Sequence, residues 1–459
     1  MAMRRKQKIA GFDIGTSSLK VTLADSQTGK ITDNLKYDYA GYRELAPGVM
    51  PVKVYEETVL TALSELLQTC ELVGMALTTQ MYSVCEVVDG EIVAWQWNSL
   101  WKRCPHKEPD FAHQLQKSGC RTDTIFGAYK VAATDSQKRT GFLPYGLKEH
   151  LIAFLTGELA TDYTTASASG FFDIEKHDWN RPFVESLGLN IQELPKALPH
   201  NASVGTLRRD LLPGLREGIL LVPGLGDGPS ASWACRDVSN FCGNVGTSMA
   251  ARVFTGEPDL CETHGLWNYA VDAATYLTGG ISSNSCSVLN WAQRFGLDVD
   301  APLADTNDVI FLPWLHGERM PYWSSDLRGS FLGLQIGDSP ATLAAAVVKG
   351  VAFTFARMGR VLAKKANGPL VLAGGGTNIP ALVGLIAGCM EEEIALLEDG
   401  GYLCSTGAVL SAGDGLGIKV DPQMRIGRTI RPDGSFIREY ENWLSQAKEL
   451  AQFYNEKIQ

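Results

Sequence analysis

The chain carries the same short turn twice, and this repeat limits the folds that it can adopt. Residues 15–17 and residues 246–248 are both Gly-Thr-Ser, and about half of the 459-residue chain separates the two copies. Apolar residues flank the first copy on both sides, a pattern that predicts a strand, a tight turn and a second strand. A glycine lets backbone amides approach an anion, and the neighbouring hydroxyls add hydrogen-bond donors. Two such turns predict two domains of similar construction that hold one nucleotide between them.

Asp13 lies directly before the first turn, near the end of the predicted strand. A carboxylate in that position can hold a hydrated Mg²⁺ ion against phosphate oxygens. Taken alone, the first turn also fits an ordinary hairpin with a polar tip, because short strings of Gly, Thr and Ser are common. The second copy of the turn favours the phosphate-binding interpretation.

Two further polar segments follow predicted buried strands, at the ends where α/β sheets bind ligands. Gln80 and Met81 come after the strand predicted at residues 72–77. Asp227 follows the strand predicted at residues 219–222 and stands between two glycines, directly before a predicted helix. Asp227 is either a turn and helix-cap residue or a carboxylate exposed in a Gly-lined cleft. In the second case, the N-terminus of the helix should keep the carboxylate ionised at neutral pH.

A run of three glycines, residues 374–376, lies between a predicted strand at residues 370–373 and a helix that starts near Pro380. Such a run lets the backbone pack flat against a planar group such as adenine or ribose. In the first half of the chain, Trp95, Trp97 and Trp101 form a cluster. Aromatic rings often lie against sugar faces, but tryptophans also fill protein cores, and both interpretations stay open for Trp97.

Composition narrows the class of partner. The chain has 51 acidic and 41 basic residues, and the formal net charge of −10 argues against general nucleic-acid binding. No stretch approaches 18 consecutive apolar residues, so the sequence predicts no membrane span. The ten cysteines form no Cys-x-x-Cys pair, and no signal peptide is evident. These features predict reduced thiols and a cytoplasmic protein.

The motifs occur in an order that resembles the FGGY carbohydrate kinases of the actin-like ATPase superfamily. The most specific match is the segment 312–323, Leu-Pro-Trp-Leu-His-Gly-Glu-Arg-Met-Pro-Tyr-Trp, which is similar to the family's Gly-Glu-Arg loop almost residue for residue. The resemblance covers essentially the whole chain. The matching segments, in order, are residues 11–20, 80–81, 156–158, 226–228, 246–248, 311–334 and 374–376.

The resemblance implies an α/β fold with two actin-like (ribonuclease H-like) ATPase domains and a cleft between them. The N-terminal domain, residues 1–240, would bind the sugar, and the C-terminal domain, residues 241–459, would bind the nucleotide. The implied activity is ATP-dependent phosphorylation of a small sugar, sugar acid or polyol at a hydroxyl, similar to the gluconate and xylulose kinases. ATP and Mg²⁺ are the implied cofactors, and a homodimer is one assembly that fits.

The resemblance also implies a role for each candidate residue. Asp227 would be the base that faces the sugar hydroxyl, and the substrate would also contact Gln80, Met81 and Trp97. Asp13 would bind Mg²⁺ through water. The residues implied at the ATP phosphates and at the adenosine are Gly15, Thr16, Ser17, Gly246, Thr247, Gly375, Gly376 and Asn378.

One departure from the family pattern concerns the substrate. Where the family usually has Trp-x-Asp-x-Arg, the position of the sugar-binding Asp is Ser99 in this chain. Serine is shorter and uncharged, so we expect weak activity on D-xylulose and better activity on an anionic substrate such as a hexonate. The alternative is a nucleotide-gated actin-like ATPase, or a sugar sensor with impaired catalysis, because the same phosphate turns would serve either protein.

Overall fold

The structure is a computed structural model that describes residues 5–39, 48–95, 109–121, 123, 125–133, 142–306, 308–398 and 400–458. Within these ranges the first half of the chain contains the strands β1 (Gln7–Ile14), β2 (Ser18–Asp25), β3 (Ile31–Asp38), β4 (Val49–Pro51), β5 (Glu71–Thr79), β6 (Val84–Val88), β7 (Glu91–Trp95), β8 (Phe142–Leu143), β9 (Ala160–Asp162), β10 (Phe172–Asp173), β11 (Asp178–Trp179), β12 (Lys196–Leu198), β13 (Gly205–Thr206) and β14 (Leu220–Val222). The second half contains β15 (Phe241–Val245), β16 (Met249–Thr255), β17 (Trp267–Ala270), β18 (Tyr276–Ser282), β19 (Ile310–Leu312), β20 (Ser330–Leu332), β21 (Leu370–Ala373), β22 (Ile394–Leu397) and β23 (Ile426–Ile430).

Helices alternate with these strands. In the same part of the chain they are α1 (Val52–Thr69), α2 (Pro109–Lys117), α3 (Gly127–Ala133), α4 (Leu147–Thr156), α5 (Tyr163–Ser169), α6 (Arg181–Ser186), α7 (Asp227–Ala234), α8 (Cys286–Arg294), α9 (Pro340–Ala363), α10 (Pro380–Met390), α11 (Leu403–Leu416) and α12 (Ile437–Ile458). Their ends follow local rules. The side chain of Ser339 accepts a hydrogen bond from the Thr342 amide at the start of α9, and Gly157 adopts a left-handed conformation after α4.

The first half of the chain builds a six-stranded sheet in the order β13-β14-β5-β1-β2-β3. β1 and β2 form the predicted antiparallel hairpin, with Ile14 opposite Leu19 at its tip. β5 runs parallel to β1, and β14 runs parallel to β5. The polar segments that follow these three strands therefore emerge at the same edge of the sheet.

The second half builds a seven-stranded sheet in the order β17-β18-β16-β15-β21-β22-β23. β15 and β16 form a hairpin with Val245 opposite Met249, and β21 and β22 continue parallel to β15. Each sheet thus contains a hairpin, two further parallel strands and an antiparallel edge strand in the same order. This repetition confirms the predicted α/β fold with two units of similar construction.

Two helices cross between the halves. α11 belongs to the second half by sequence, but its Val409 packs with Ile9 in the core beneath the first sheet. α7 belongs to the first half, but its Ala234 packs with Cys242 beneath the second sheet. The predicted boundary between residues 240 and 241 stays a prediction, since these two helices contact the sheet of the opposite half.

One helix in the described part of the chain, α9, is long and apolar enough by composition to cross a membrane. Its most apolar 18-residue window is 83% buried inside the protein. Side chains of α9 such as Val347 and Phe355 belong to the core of the second half. α9 therefore qualifies by mean hydropathy although it contains no run of 18 apolar residues. Its burial is that of a core helix, in agreement with the expectation of no membrane span.

Candidate active site

A cavity of about 400 Å³ lies between the two sheets and is lined by residues of both halves. Four of the residues that the sequence singles out line it: Thr16, Gln80, Met81 and Asp227. Other polar or charged residues that line it include Tyr82, Asn244, Ser248, Arg252, Tyr269 and Arg319. Groups from the two halves can therefore act on one ligand in this space.

Both Gly-Thr-Ser turns lie at this cavity. The Gly15 amide donates to the Ser18 carbonyl at 3.1 Å, and the Gly246 amide donates to the Ser248 carbonyl at 2.9 Å. These tight turns leave the hydroxyl residues at positions 16, 17 and 247 exposed. One residue of each turn, Thr16 and Ser248, lines the cavity. The two turns thus face one space, which the phosphate-binding interpretation requires, and their contacts to a ligand stay predictions.

Asp13 is the penultimate residue of β1, and it lies opposite Lys20 of β2 and Thr78 of β5. Burial and, secondly, the negative charge of Asp227 raise the pKa of its carboxyl from 3.8 to about 7, while Lys20 acts against this shift. Two carboxylates thus repel each other at the cavity, and a divalent cation would compensate both charges. These residues fit the Mg²⁺ ion that the resemblance implies.

Asp227 is the first residue of α7, and its Oδ1 accepts a hydrogen bond from the Gly228 amide at 2.8 Å. Burial raises the pKa of Asp227 above its ordinary value, against the effects of the Gly228 amide, the charge of Arg252 and the Met81 amide. Burial of the carboxylate therefore acts against the helix N-terminus, and the expectation that Asp227 is ionised at neutral pH stays a prediction. The raised pKa makes Asp227 a stronger base than an exposed aspartate.

Gln80 is 5% exposed, and within the described residues neither Oε1 nor Nε2 has a hydrogen-bond partner. A buried polar group without a partner costs about 1–3 kcal/mol, so a ligand or water is expected to satisfy this amide. Met81 packs so closely against Gly226 that a Cβ atom there would lie 2.6 Å from the Met81 Cγ, which fixes the chain just before Asp227. The remaining predicted substrate contact, Trp97, lies outside the described residues.

The glycine run after β21 has a structural reason within the protein. Gly374 has a φ of +103°, and a Cβ atom at Gly374 or Gly376 would overlap Val245 at the end of β15. Gly375 faces open space, and Asn378 is exposed. The cavity is lined by the end of β21 but not by these glycines or by Asn378. The run is thus anchored beside the second Gly-Thr-Ser turn, and its role at adenosine stays a prediction.

Sequence reasoning did not place two arginines in the site. Arg252 lies in β16 and donates from Nη1 to the Asn244 Oδ1 at 2.9 Å. Arg319 lies in the Gly-Glu-Arg loop and pairs with Asp123 at 2.9 Å. Strand alternation puts residues 250 and 252 on one face of β16, and counting back by two residues reaches Ser248 of the turn before the strand, so this pattern links Arg252 to the turn. The position of Arg319 depends on the path of a long loop, and no local sequence pattern predicts that path.

Solved structures share this architecture along the chain. A gluconate kinase from Lactobacillus acidophilus has a TM-score of 0.85 and 23% sequence identity, with 98% of this chain and 99% of that chain covered. A ligand-bound xylulose kinase from Lactobacillus acidophilus has a TM-score of 0.84, 23% identity and the same coverage. The fold therefore defines a two-domain α/β protein of the ribonuclease H-like, actin-like class.

Within this class, family models identify the chain more closely. The N-terminal domain model of the FGGY family of carbohydrate kinases matches residues 8–233, and the C-terminal domain model matches residues 243–413. The chain belongs to this family and is a phosphotransferase with ATP as co-substrate.

Curated relatives span much of the chain at low sequence identity. A xylulose kinase from Lactococcus lactis subsp. lactis (strain IL1403) is 24% identical over 451 residues, with 89% of this chain and 88% of the relative covered. A gluconokinase from Bacillus subtilis (strain 168) is 23% identical over 402 residues, with 78% of each covered.

Proposed function

We propose that the protein transfers the terminal phosphoryl group of ATP to a hydroxyl of a small sugar, sugar acid or polyol, with Asp227 as the base. The observation that carries this proposal is the meeting of Asp227 and the unpartnered amide of Gln80 in one cavity between the sheets. Asp13 lies close enough to Asp227 for the negative charge of Asp227 to raise the pKa of Asp13. One carboxylate is thus available to the nucleotide and its cation, and the other to the acceptor.

Asp227 is proposed to act on the acceptor hydroxyl, which is a weak nucleophile and must lose its proton as the phosphoryl group arrives. The hydrogen bond from the Gly228 amide gives the carboxylate a defined orientation. Burial raises the pKa of Asp227, which makes it a better acceptor for a proton released late in the transfer. Gln80 is proposed to position the acceptor through hydrogen bonds to its hydroxyls, and Met81 to contact it.

The nucleotide is proposed to bind at the two turns and the glycine run. Backbone amides and hydroxyls of the turns would hold the phosphates, and the glycine run would lie against the adenosine. Asp13 would hold Mg²⁺ through water, and the ion would neutralise charge on the phosphates and on the two carboxylates. The proposed nucleotide contacts are Gly15, Thr16, Ser17, Gly246, Thr247, Gly375, Gly376 and Asn378.

ADP release that depends on an added acceptor tests this function. A coupled assay over pentuloses, hexonates, heptuloses and polyols is expected to show at least one acceptor that accelerates ADP release. ADP release that no acceptor changes would favour the nucleotide-gated ATPase, and binding of a sugar without turnover would favour the sensor. A cytoplasmic location and a homodimeric assembly stay predictions from the sequence.

Asp227→Asn tests the role of the base. The substitution keeps the shape and the acceptor for the Gly228 amide but removes the basic site. We expect kcat to fall by roughly 10²- to 10⁴-fold. The thermal midpoint should be unchanged or higher, because the variant no longer buries a charge at this position. ATP affinity should change little, since the turns and Asp13 hold the nucleotide.

Asp272→Asn is the matched control. The Asp272 Oδ1 accepts hydrogen bonds from the Ala274 and Thr275 amides at 2.8 and 2.9 Å, so this residue only orders a turn. Asparagine can accept the same bonds, and we expect turnover close to that of the wild type. A stable Asp227→Asn variant with normal turnover would show that the base lies elsewhere.

A further inference from the structure

Arg252 is a charged side chain of the cavity that the proposed phosphoryl transfer leaves without a role. It lies in β16 opposite Cys242, and its Nη1 donates to the Asn244 Oδ1 at 2.9 Å. Within the described residues this is the only hydrogen bond of its side chain, and no carboxylate oxygen lies within 4.0 Å of its guanidinium. A guanidinium carries five N–H donors, so several of them are available to a ligand.

The second arginine of the cavity, Arg319, differs from Arg252 because it has a carboxylate partner. The Arg319 Nε pairs with the Asp123 carboxylate at 2.9 Å, and its Nη1 donates to the Ser283 hydroxyl at 3.0 Å. The side chains of Arg319 and Asp123 are only 7% and 14% exposed, so their charges compensate each other inside the protein. Arg252 is half-buried and has no such close counter-charge, so a carboxylate of a ligand can supply one.

Arg252 lies next to Asp227 in the cavity that Gln80 also lines. A Cβ atom at Gly228, the residue after Asp227, would lie 2.9 Å from the Arg252 Nη2, so the guanidinium packs against this turn. The hydroxyls of Tyr82 and Tyr269 bond each other at 2.8 Å at the same cavity. Burial raises the pKa of both tyrosines, and the charge of Arg252 acts against that shift, which indicates its proximity.

The nucleotide side of the site has a different cation. Lys20 lies opposite Asp13 in the β1–β2 pair, and its Nζ donates to the Gly401 carbonyl at 2.6 Å. Burial raises the pKa of both Asp13 and Asp227; the charge of Lys20 acts against this rise at Asp13, and the charge of Arg252 acts against it at Asp227. The two positive charges thus flank different carboxylates.

We propose that Arg252 binds the carboxylate of the acceptor, so that the preferred substrates are sugar acids of the aldonate type rather than neutral sugars. This inference rests on the proposed function, because it assigns a part of the same acceptor site. The planar guanidinium matches a carboxylate in a two-point hydrogen-bonded pair, which lysine or an amide does not reproduce. A neutral acceptor leaves the cation uncompensated and is therefore bound less well.

A matched pair of acceptors tests the substrate class in the wild-type protein. D-Gluconate and D-glucitol share the same carbon chain, and they differ in that a carboxylate replaces a CH₂OH group. The aldonates to be tested are D-gluconate and shorter ones. We expect kcat/KM for the best of them to exceed kcat/KM for the alditol of the same carbon chain by about 10- to 100-fold. A neutral sugar or alditol as the best acceptor would overturn the inference and leave the kinase function intact.

Variants at position 252 test whether Arg252 binds the carboxylate of the acceptor. In Arg252→Gln we expect kcat/KM for the aldonate to fall about 10- to 100-fold, mainly through KM, with less than about a threefold change for the matched alditol. Arg252→Lys keeps the charge but loses the planar fork and should lie between the two. Arg181→Gln is the control, since Arg181 is an exposed residue that pairs with Glu185 within α6. An equal loss of kcat with both acceptors would assign Arg252 to the phosphoryl group and overturn the inference.

Binding without turnover separates this inference from the proposed function. D-Gluconate is expected to raise the thermal midpoint of the wild type but not that of Arg252→Gln, and D-glucitol to raise neither. If the aldonate shifts the midpoint in this way and no acceptor supports ADP release, the proposed function fails while Arg252 remains a carboxylate site. Equal shifts in the wild type and in the variant would overturn the assignment of Arg252.

Discussion

At the scale of single residues, the ionised carboxylate of Asp13 lowers the stability of the folded protein, although the proposed function needs this carboxylate as a cation ligand. Its pKa is about 7 in the folded protein against an ordinary 3.8, so the folded state binds the proton more tightly than the unfolded state. The stability that this proton contributes is fully present below the ordinary pKa and is lost as the pH rises through about 7. Asp13→Asn removes this titration. Without Mg²⁺, we expect the variant to exceed the wild type in stability at about pH 8 by up to about 4 kcal/mol, with little difference near pH 4.

Urea unfolding at both pH values measures this difference. Other buried acids such as Glu318, whose pKa burial also raises to about 7, titrate in the same range, but they are present in both proteins and cancel. A wild-type-to-variant difference that does not change with pH would contradict the raised pKa of Asp13. Mg²⁺ with ATP should stabilise the wild type much more than the variant, because the carboxylate is the proposed cation ligand.

The candidate site is only partly predictable from the sequence, and the residues show why. Asp13, Gln80 and Asp227 each follow an apolar run that predicts a strand, so local pattern is enough to place them at one sheet edge. Their raised pKa values and unpartnered atoms depend on burial by elements distant in sequence. Arg252 has a weak local signal in strand alternation, and Arg319 has none. Residue 99, where serine replaces the family's aspartate, lies outside the described residues, so the effect of that change stays a prediction.

At the scale of elements, α11 is the helix that sequence patterns fail to predict. Its segment is rich in Gly, Ser and Thr, which have low helix propensity, and burial on most sides removes the polar stripe that marks a surface helix. Tertiary packing explains the composition. A Cβ atom at Gly407 would overlap the Ser230 carbonyl of α7, and one at Gly11 of β1 would overlap the Ser405 carbonyl of α11. Close backbone approach, rather than propensity, stabilises this helix.

Gly407→Ala tests this packing against a matched control, Gly384→Ala in α10. Gly384 has no neighbour within 4 Å of an added Cβ atom, so alanine should stabilise the protein by about 0.5–1 kcal/mol through helix propensity. At Gly407 the same change meets backbone and should destabilise by about 1–3 kcal/mol or more. Urea unfolding of both variants measures the change in the free energy of unfolding, which we expect to have opposite signs at the two sites. Stabilisation at both sites would mean that α7 and α11 do not approach this closely.

At the scale of the whole molecule, the repeat of two similar units is predictable from the sequence. The exchange of helices, in which α7 and α11 each pack beneath the sheet of the opposite half, is not. Two Gly-Thr-Ser turns predict two similar units, and the two strand orders confirm them. No local pattern states that α7 packs beneath the second sheet and α11 beneath the first. The core that contains Ala234 of α7 also contains Val371, and the core that contains Val409 of α11 also contains Ile9, so both cores join residues far apart in sequence. The exchange links the two sheets through a pair of packed helices. We therefore expect any motion between the sheets to take place around this pair, and residues of both helices line the cavity.

Closure of that cavity is the expected motion. Its walls include Thr16 and Asp227 from the first half and Ser248 and Arg252 from the second, so ligands that contact both walls gain interactions when the walls approach. Closure would also exclude water from the transfer. We expect a non-hydrolysable ATP analogue together with an acceptor to reduce the radius of gyration in small-angle scattering more than either ligand alone. The Asp13→Asn variant, with its cation site removed, should compact less under the same conditions. An unchanged radius with both ligands bound at saturation, as shown by the thermal midpoint, would contradict closure and imply that the cavity is already formed for transfer in the free protein.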